Sequence, residues 1–510
     1  MELYNETNVK LIVEKLDDII NIIEEKKLEN FEPTREELMN VNKIVLDFIR
    51  EKKRKIYGGY AQNKAIIQKN PNDAFYKETK IPDIDYYSPD PLNDLKDLSD
   101  QLHQKGFKHV DAQEALHKET YSIFVNFSPI PVCDISYVPK NIYNRIPFIE
   151  IEGINYVNPS FMMIDMLRIL TDPYFSSFRW EKIVPRINTL QKYYPFNKAS
   201  KPLPDSYKVP SDKKEVLNRL NWFVYDEIKN KDKFILFGQA AYNYFLGESE
   251  ILRDNKLGKK YRYLDNNLIE IISTNYLNDG SKMIDSIKMK FKDISEKITY
   301  IEYYPFWMFI GYSVMVFYED IPFLNIVFHN RRCLPIRKTP LRNFTNAPFP
   351  ILPDDFIMLG SFDVVLMMSL ITGFKMRVNF EEDKSHFYNI MTSHLIEMRN
   401  HFLNKKGLTP LDDSLFQEFI STCIGSAVDP VREARLERNK KRTEGKKIIY
   451  RYTPGSNKPI PIFRFSNSSG NPIRKVRNLK LMKVFKPEDG SQLINHDDLN
   501  ELEDLEDENE

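Results

Sequence analysis

The sequence predicts a mixed α/β (α+β) protein in which one sheet-and-helix unit occurs twice, with helices flanking both copies. Three observations carry this expectation. First, from Lys55 onward short β-branched and aromatic runs alternate with helical patterns. Second, three stretches recur in the same order at similar separations. TYSIFVNFSPIPVCDISYV (120–138) lies without a gap over GYSVMVFYEDIPFLNIVFH (311–329), setting Tyr121, Ser122, Val125, Pro131 and Ile135 on Tyr312, Ser313, Val316, Pro322 and Ile326. YGGYAQN (57–63) lies over FGQAAYN (237–243), and DIDYYS (83–88) over LIEIIS (268–273). Third, each set ends in a helical run containing Ser-Phe, at Ser160-Phe161 and Ser361-Phe362.

Along the chain, residues 8–54 place apolar side chains at helical spacing, from Val9, Leu16 and Ile23 to Val41, Val45, Phe48 and Ile49, interrupted by the turn-like ENFEPTREE. Residues 121–138 and 311–329 each read strand, turn, strand, and Leu92 to Lys105 reads as a helix. Residues 159–194 read as helical, and KPLPDSYKVPSDKK (201–214) has linker composition. Phe356 to Phe374, the most membrane-like run, holds Asp363 and two glycines and reads as one buried helix. The Met-rich FMMIDML and VVLMMSL read as core helix faces. The expected division is an N-terminal helical region (1–54), a catalytic domain with its following helices (55–200), a degenerate second copy (201–380), a C-terminal helical and basic region (381–487) and an acidic, disordered tail (488–510).

At 510 residues, 42% hydrophobic and 29% charged, the chain has the material for several packed cores. Its 73 basic and 73 acidic residues cancel only overall. Asp497 to Glu510 carries nine carboxylates and no Lys or Arg, whereas Arg432 to Lys486 carries seventeen Lys and Arg against three Glu. That basic stretch is interleaved with Tyr450, Tyr452, Phe463 and Phe465, a mixture that suits single-stranded nucleic acid and equally a solvated surface. Cys133, Cys333 and Cys423 are far apart and form no CxxC pair, which argues against a disulfide framework and a zinc site and fits a reducing, intracellular compartment. The N-terminal pattern lacks the basic and apolar regions of a signal peptide, and no membrane association is expected. His103, His109 and His117 lack metal-ligand spacing and read as surface residues.

The chemistry concentrates in the first copy. Side chains alternate along a strand, so Asp83 and Asp85 share one face about 7 Å apart. Like charges so placed repel unless a cation lies between them, and an oxygen-preferring divalent ion, Mg²⁺ or Mn²⁺, is the natural occupant. Asp134, in VCDIS on a second strand, supplies a third carboxylate. Three such acids can hold two ions about 4 Å apart. Upstream, Gly58 and Gly59 precede a helical pattern whose first N–H groups can cradle phosphate. Taken singly, a glycine pair is an ordinary turn and Asp-x-Asp a solvated strand end. In this order, they spell a nucleotidyltransferase site. In the second copy Leu268 replaces Asp83, Glu270 replaces Asp85, Asn325 replaces Asp134 and Gln239 replaces Gly59, so scaffold positions persist where the candidate ligands do not.

The glycine pair at 58–59, DID at 83–85 and CDI at 133–135 resemble the polymerase-beta-like nucleotidyltransferase superfamily, and are most similar to the poly(A) polymerase catalytic subunits of large cytoplasmic DNA viruses, the poxvirus-like and mimivirus-like enzymes. The resemblance spans roughly residues 50–380 and departs from the superfamily pattern in placing Tyr60 after Gly59 and in a long gap before Asp83. It implies Asp83, Asp85 and Asp134 as metal ligands, Gly58 and Gly59 as phosphate contacts, two Mg²⁺ or Mn²⁺ ions, and ATP as substrate. It further implies template-independent addition of AMP to RNA 3′ ends, a homodimer or a processivity partner, and action in a host-cytoplasmic viral factory, with the virion as a second location. Other terminal nucleotidyltransferases of uridylyl or CCA type, an Asp-x-Asp glycosyltransferase and a non-catalytic RNA-binding scaffold stand as alternatives.

Overall fold

The computed structural model describes residues 5–455 and 472–476, apart from short segments at 31–32, 77–80, 116–118, 129, 199–201, 205–208, 266–267, 304, 330–332, 346–349, 426–429 and 446–450. The expected acidic tail and the basic stretch beyond 455, apart from 472–476, lie outside the described residues, as do Tyr450 and His117. The chain divides into two compact units: Met1–Val138 with Ile146–Met162 and Pro430–Ile460, and Pro139–Arg145 with Met163–Asp429 and Pro461–Glu510.

In the first unit, helices α1 (Glu6–Asn30) and α2 (Arg35–Glu51) precede the sheet. Thr34 caps α2 reciprocally with Glu37: its Oγ1 accepts from the Glu37 N–H, and its own N–H donates to Glu37 Oε2 at 2.8 Å. Val41, Val45, Phe48 and Ile49 recur on one face of α2 and are buried. The sheet comprises β1 (Lys55–Tyr57), β2 (Ile84–Ser88), β3 (Asp111–Glu114), β4 (Thr120–Phe124), β5 (Cys133–Tyr137), β6 (Phe148–Ile151) and β7 (Ile154–Val157), with β16 (Arg451–Tyr452) contributed by the late chain, in the order β16-β3-β4-β5-β2-β1-β7-β6. Helix α3 (Gly58–Ile67) follows β1 directly, and α4 (Pro91–Gln104) crosses over between β2 and β3, burying Leu92, Leu95, Leu98 and Leu102. Helix α13 (Pro430–Thr443) also belongs to this unit.

The second unit takes in α5 (Lys140–Arg145) and α7 (Trp180–Tyr193); α6 (Pro159–Leu170) precedes α7 in sequence. Then α8 (Lys214–Ile228) leads to β8 (Phe234–Phe237), α9 (Gly238–Glu248), β9 (Ile269–Ser273) and α10 (Tyr276–Lys290). The sheet continues with β10 (Ile298–Tyr303), β11 (Ser313–Tyr318), β12 (Ile321–Phe328), β13 (Leu334–Pro340) and β14 (Phe356–Gly360). Helices α11 (Phe362–Val378) and α12 (Glu382–Lys406) pack on it, and β15 (Cys423–Ile424) and β17 (Pro472–Val476) complete it in the order β15-β13-β14-β8-β9-β12-β11-β10-β17.

The two sheets repeat one design. Tyr57 faces Asp85 across antiparallel β1 and β2, and Phe237 faces Glu270 across β8 and β9. Asp85 faces Asp134 across parallel β2 and β5, and Glu270 faces Asn325 across β9 and β12. The shared asparagines do the same work: Asn63 Oδ1 accepts from the Phe75 N–H at 2.6 Å, and Asn243 Oδ1 from the Leu264 N–H at 2.9 Å. Both copies also anchor a buried aspartate on the crossover helix with a cation just before the first strand, Arg54 to Asp94 at 2.6 and 2.7 Å, and Lys233 to Asp279.

Three expectations are corrected. Ser122 faces Asp134, but Met315, not Ser313, faces Asn325, so the first strand of the second hairpin is displaced by two residues from the ungapped superposition. Residues 125–132 join β4 to β5, whereas only Glu319 and Asp320 join β11 to β12, with a bulge at Val316/Phe317 absorbing part of the difference. A slip of two preserves which face each side chain takes, which is why the sequence match survived it. Phe356 to Phe374 is not one helix: its first five residues form β14, and Ser361 caps α11 by accepting from the Val364 N–H at 3.4 Å. Cys333 and Cys423 form a disulfide across the paired ends of β13 and β15, leaving Cys133 as the buried free thiol. Their separation of 90 residues hides the pairing from any local motif. The Met-rich runs are core, with Met162, Met163, Met166, Met367 and Met368 all buried, and His103 and His109 are exposed.

Candidate active site

Asp83, Asp85 and Asp134 converge: each offers a carboxylate oxygen, and the three oxygens lie within 4.8 Å of one another. The parallel pairing of β2 with β5 sets Asp85 beside Asp134, and strand alternation returns Asp83, just ahead of β2, to the same face. Among the described residues this is the group of acids able to hold a metal ion.

The turn from β1 into α3 closes the site from the other side. Tyr57 is extended and Gly58 takes φ +70°, a left-handed conformation that side chains disfavour. The glycine is required twice over, because a Cβ on residue 58 would lie 2.4 Å from Asp85 Oδ2. Gly59 is the second residue of the helix, so both predicted phosphate contacts stand at the N-terminus of α3, beside the carboxylates.

Supporting residues that the sequence did not single out hold this arrangement. Ser122 Oγ donates to Asp134 Oδ1 at 2.6 Å. Behind it, Ser136 Oγ bonds to the Tyr57 hydroxyl at 2.8 Å and to Thr120 Oγ1 at 3.0 Å. The Tyr57 ring stacks on Tyr87 with centroids 3.9 Å apart, fixing the residue immediately before the glycine turn. The only signal for these groups in the sequence is small hydroxyls alternating with apolar residues, in TYSIF and CDIS.

Electrostatics favour a bound cation. Burial raises the Asp134 carboxyl above its ordinary value; the Ser122 hydrogen bond opposes this and the Asp83 charge adds to it. Burial, then Asp134, Asp85 and Asp83, push the neighbouring Cys133 thiol well up, leaving it an inert core group. Three hard oxygen donors brought this close together fit a divalent ion of the Mg²⁺ or Mn²⁺ type.

The second copy keeps the turn and loses the donor set. Gly238 has φ +67°, and a Cβ there would lie 1.8 Å from Glu270 Oε2. Leu268 and Asn325 stand where Asp83 and Asp134 would be. Glu270 Oε2 accepts from the Gln239 N–H at 3.1 Å, and the Tyr388 hydroxyl donates to Oε1 at 3.4 Å. This carboxyl is therefore held by the protein itself, at the helix N-terminus that the first copy turns toward its acids.

Comparison with known proteins gives a consistent result. Residues 43–176 match the family described as "Poly(A) polymerase catalytic subunit". Residues 214–483 match "APMV, Putative poly(A) polymerase, catalytic subunit, C-terminal". The chain is 35% identical over 501 residues, 94% of its own length and 85% of the relative's, to the "Putative poly(A) polymerase catalytic subunit" of Acanthamoeba polyphaga mimivirus. A protein of the same description from African swine fever virus (strain Badajoz 1971 Vero-adapted) is 33% identical over 160 residues, 30% of this chain and 32% of that one. The crystal structure of the Megavirus polyadenylate synthase superposes with a TM-score of 0.81 at 33% identity, covering 93% of each chain.

Proposed function

The chain belongs to the family of poly(A) polymerase catalytic subunits, and from that premise we propose that Asp83, Asp85 and Asp134, with the turn at Gly58 and Gly59, form the site at which it adds AMP to RNA. The enzyme is a polynucleotide adenylyltransferase: it takes ATP and an RNA 3′ end and depends on divalent metal. The observation that carries the site assignment is the convergence of three carboxylates within 4.8 Å beside the N-terminus of α3.

The 3′-hydroxyl oxygen of the RNA attacks the α-phosphorus of ATP and releases its proton to solvent; a new P–O bond forms, the bond to the β-phosphate oxygen breaks, and pyrophosphate leaves with the electron pair. Asp83, Asp85 and Asp134 would hold two Mg²⁺ or Mn²⁺ ions, which would supply charge neutralisation for the triphosphate and increase the acidity of the attacking hydroxyl. Asp134 serves the attacking hydroxyl, and Ser122 fixes the carboxylate that does so. The backbone at Gly58 and Gly59 faces the phosphates at a helix N-terminus, where the dipole favours anions. Tyr57 orients that turn through its ring stack and its bond to Ser136.

The RNA backbone follows the cations of α13, where Arg432, Arg435, Lys440 and Arg442 are exposed. Self-association runs through α1: Val9, Ile12, Leu16, Ile19, Ile20 and Ile23 recur at helical spacing and are 39–60% exposed, an apolar stripe that a second copy of the chain would cover. We place the activity in the host cytoplasm, at the viral factory. Primer extension with each of the four nucleotides and with either metal tests the whole reading: extension by ATP that requires Mg²⁺ or Mn²⁺ and is abolished in Asp85→Ala supports it, and equal extension by all four nucleotides contradicts adenylate transfer.

A further inference from the structure

The second copy carries a pocket at the place where the first carries its acids. Glu270 and Asn325, the counterparts of Asp85 and Asp134, line it together with Leu268, the counterpart of Asp83. Of the three acid positions one keeps a carboxyl, engaged by the Gln239 N–H and the Tyr388 hydroxyl, and Glu381, a second carboxylate at the pocket, is paired with Lys384, so the pocket lacks the donor set for a divalent ion.

Other groups have entered in its place. Lys375, from α11, brings an ammonium that lies 4.7 Å from the Tyr303 ring centroid and forms no ion pair among the described residues. Burial depresses its pKa to about 8, with the Glu381 charge opposing, so an anion beside it restores a stable ammonium. Ser313 is 1% exposed, lines the pocket and has an Oγ without a hydrogen-bond partner among the described residues; Asn379 Oδ1, also at the pocket, is likewise buried and unpartnered among them. Unsatisfied buried polar atoms in a cavity are costly and mark places where a ligand can supply the missing partner. Phe237, Met315 and Met368 give the pocket an apolar wall, and the Glu381–Lys384 ion pair stands at it as well. With Lys384 paired to Glu381, Lys375, the two waiting polar atoms and the apolar wall match a phosphate, a ribose or base edge, and a base face.

We propose that this pocket binds a nucleoside monophosphate unit without a divalent ion, Lys375 meeting the phosphate and Ser313 and Asn379 meeting the sugar or base. The location selects a nucleotide over other organic anions, since it is the point of the repeated sheet at which the first copy is assigned its nucleotide, and to that extent the inference rests on the catalytic reading. The unit has two sources, free AMP or an adenylate of the RNA tail.

The test is equilibrium binding of AMP and of oligo(A) to the full chain in EDTA, which silences the first copy, with Asp85→Asn run in parallel. Expected are about one AMP or one oligo(A) end bound per chain in wild type and Asp85→Asn alike, and at least tenfold weaker binding in Lys375→Met. Should Lys375→Met unfold, Asn379→Asp, which adds a carboxylate to a pocket that takes an anionic ligand, serves instead with the same expectation. Saturation by AMP indicates the free nucleotide and saturation by oligo(A) alone indicates the tail; either supports the proposal. No binding in EDTA, binding lost in Asp85→Asn, binding unaffected by both pocket substitutions, or inorganic phosphate binding as tightly as AMP overturns it. Primer extension is scored separately, so failure of the catalytic reading and failure of this one are distinguishable.

Discussion

The Asp85 carboxylate fills the space that a side chain at Gly58 would need, with Oδ2 2.4 Å from the position of the missing Cβ. The glycine turn and the strand that carries Asp85 are thus one fitted object. Gly58→Ala adds left-handed backbone strain of about 1–2 kcal/mol to this clash, so its stability should fall by roughly 1–3 kcal/mol. AMP incorporation should fall at least tenfold as Asp85 is displaced. Denaturant melts and single-turnover incorporation measure the two effects, and retention of both at wild-type levels would remove the turn from the site.

Asp83→Ala or Asp85→Ala should reduce incorporation by about a thousandfold or more, since a lost ligand removes on the order of 4 kcal/mol of transition-state stabilisation. Folding without metal should be unharmed or improved, because each substitution relieves repulsion within the acid cluster. Incorporation rates and melting temperatures in EDTA check the pair of outcomes; a variant with near-normal tailing would sink the assignment.

Ser122→Ala deletes the one hydrogen bond described for Asp134. That bond lowers a carboxyl that burial raises, so its loss shifts the Asp134 titration to higher pH. Incorporation, which needs the ionised form, should then fail at a higher pH than in wild type and recover as pH rises, with Ser122→Thr restoring the original limb. An unshifted pH–rate profile would mean that Ser122 only fills space.

Glu270 is buried and titrates near 7, because burial outweighs its bonds from Gln239, Tyr388 and Asn325. Its folded-state value is raised, so its contribution to stability is full below the ordinary carboxyl range and is lost as pH rises through about 7. Between pH 5 and pH 8 the wild type should lose on the order of 3 kcal/mol that Glu270→Gln does not. Denaturant unfolding at the two pH values measures the difference, and parallel pH dependences would contradict it.

The apolar stripe of α1 yields a prediction on assembly. Leu16→Glu combined with Ile20→Glu should convert a dimer to a monomer in sedimentation equilibrium without lowering the melting temperature of either unit. A dimer that survives both charges would place the contact elsewhere.

The acid triad was legible because strand alternation and the order of short motifs fix which side chains share a face, independent of the turns between them. The duplication was legible for the same reason: Asp85 with Asp134 and Glu270 with Asn325 occupy equivalent register positions in both sheets. Hairpin register was not, since the length of the connection after β11 moved Ser313 two residues past the position the sequence match gave it. Nor was β14, because a continuous apolar run satisfies a buried strand and a buried helix alike until a cap such as Ser361 divides them. The Tyr57–Ser136–Thr120 chain and the Cys333–Cys423 bond join residues from separate strands, and no local pattern tells which residues pair.

The most direct measurement is anomalous scattering from Mn²⁺ in crystals grown with a non-hydrolysable ATP analogue. The account predicts Mn²⁺ peaks about 2 Å from carboxylate oxygens of Asp83, Asp85 and Asp134, with the triphosphate against Gly58 and Gly59. Peaks at other residues, or a triphosphate seated away from the start of α3, would contradict it.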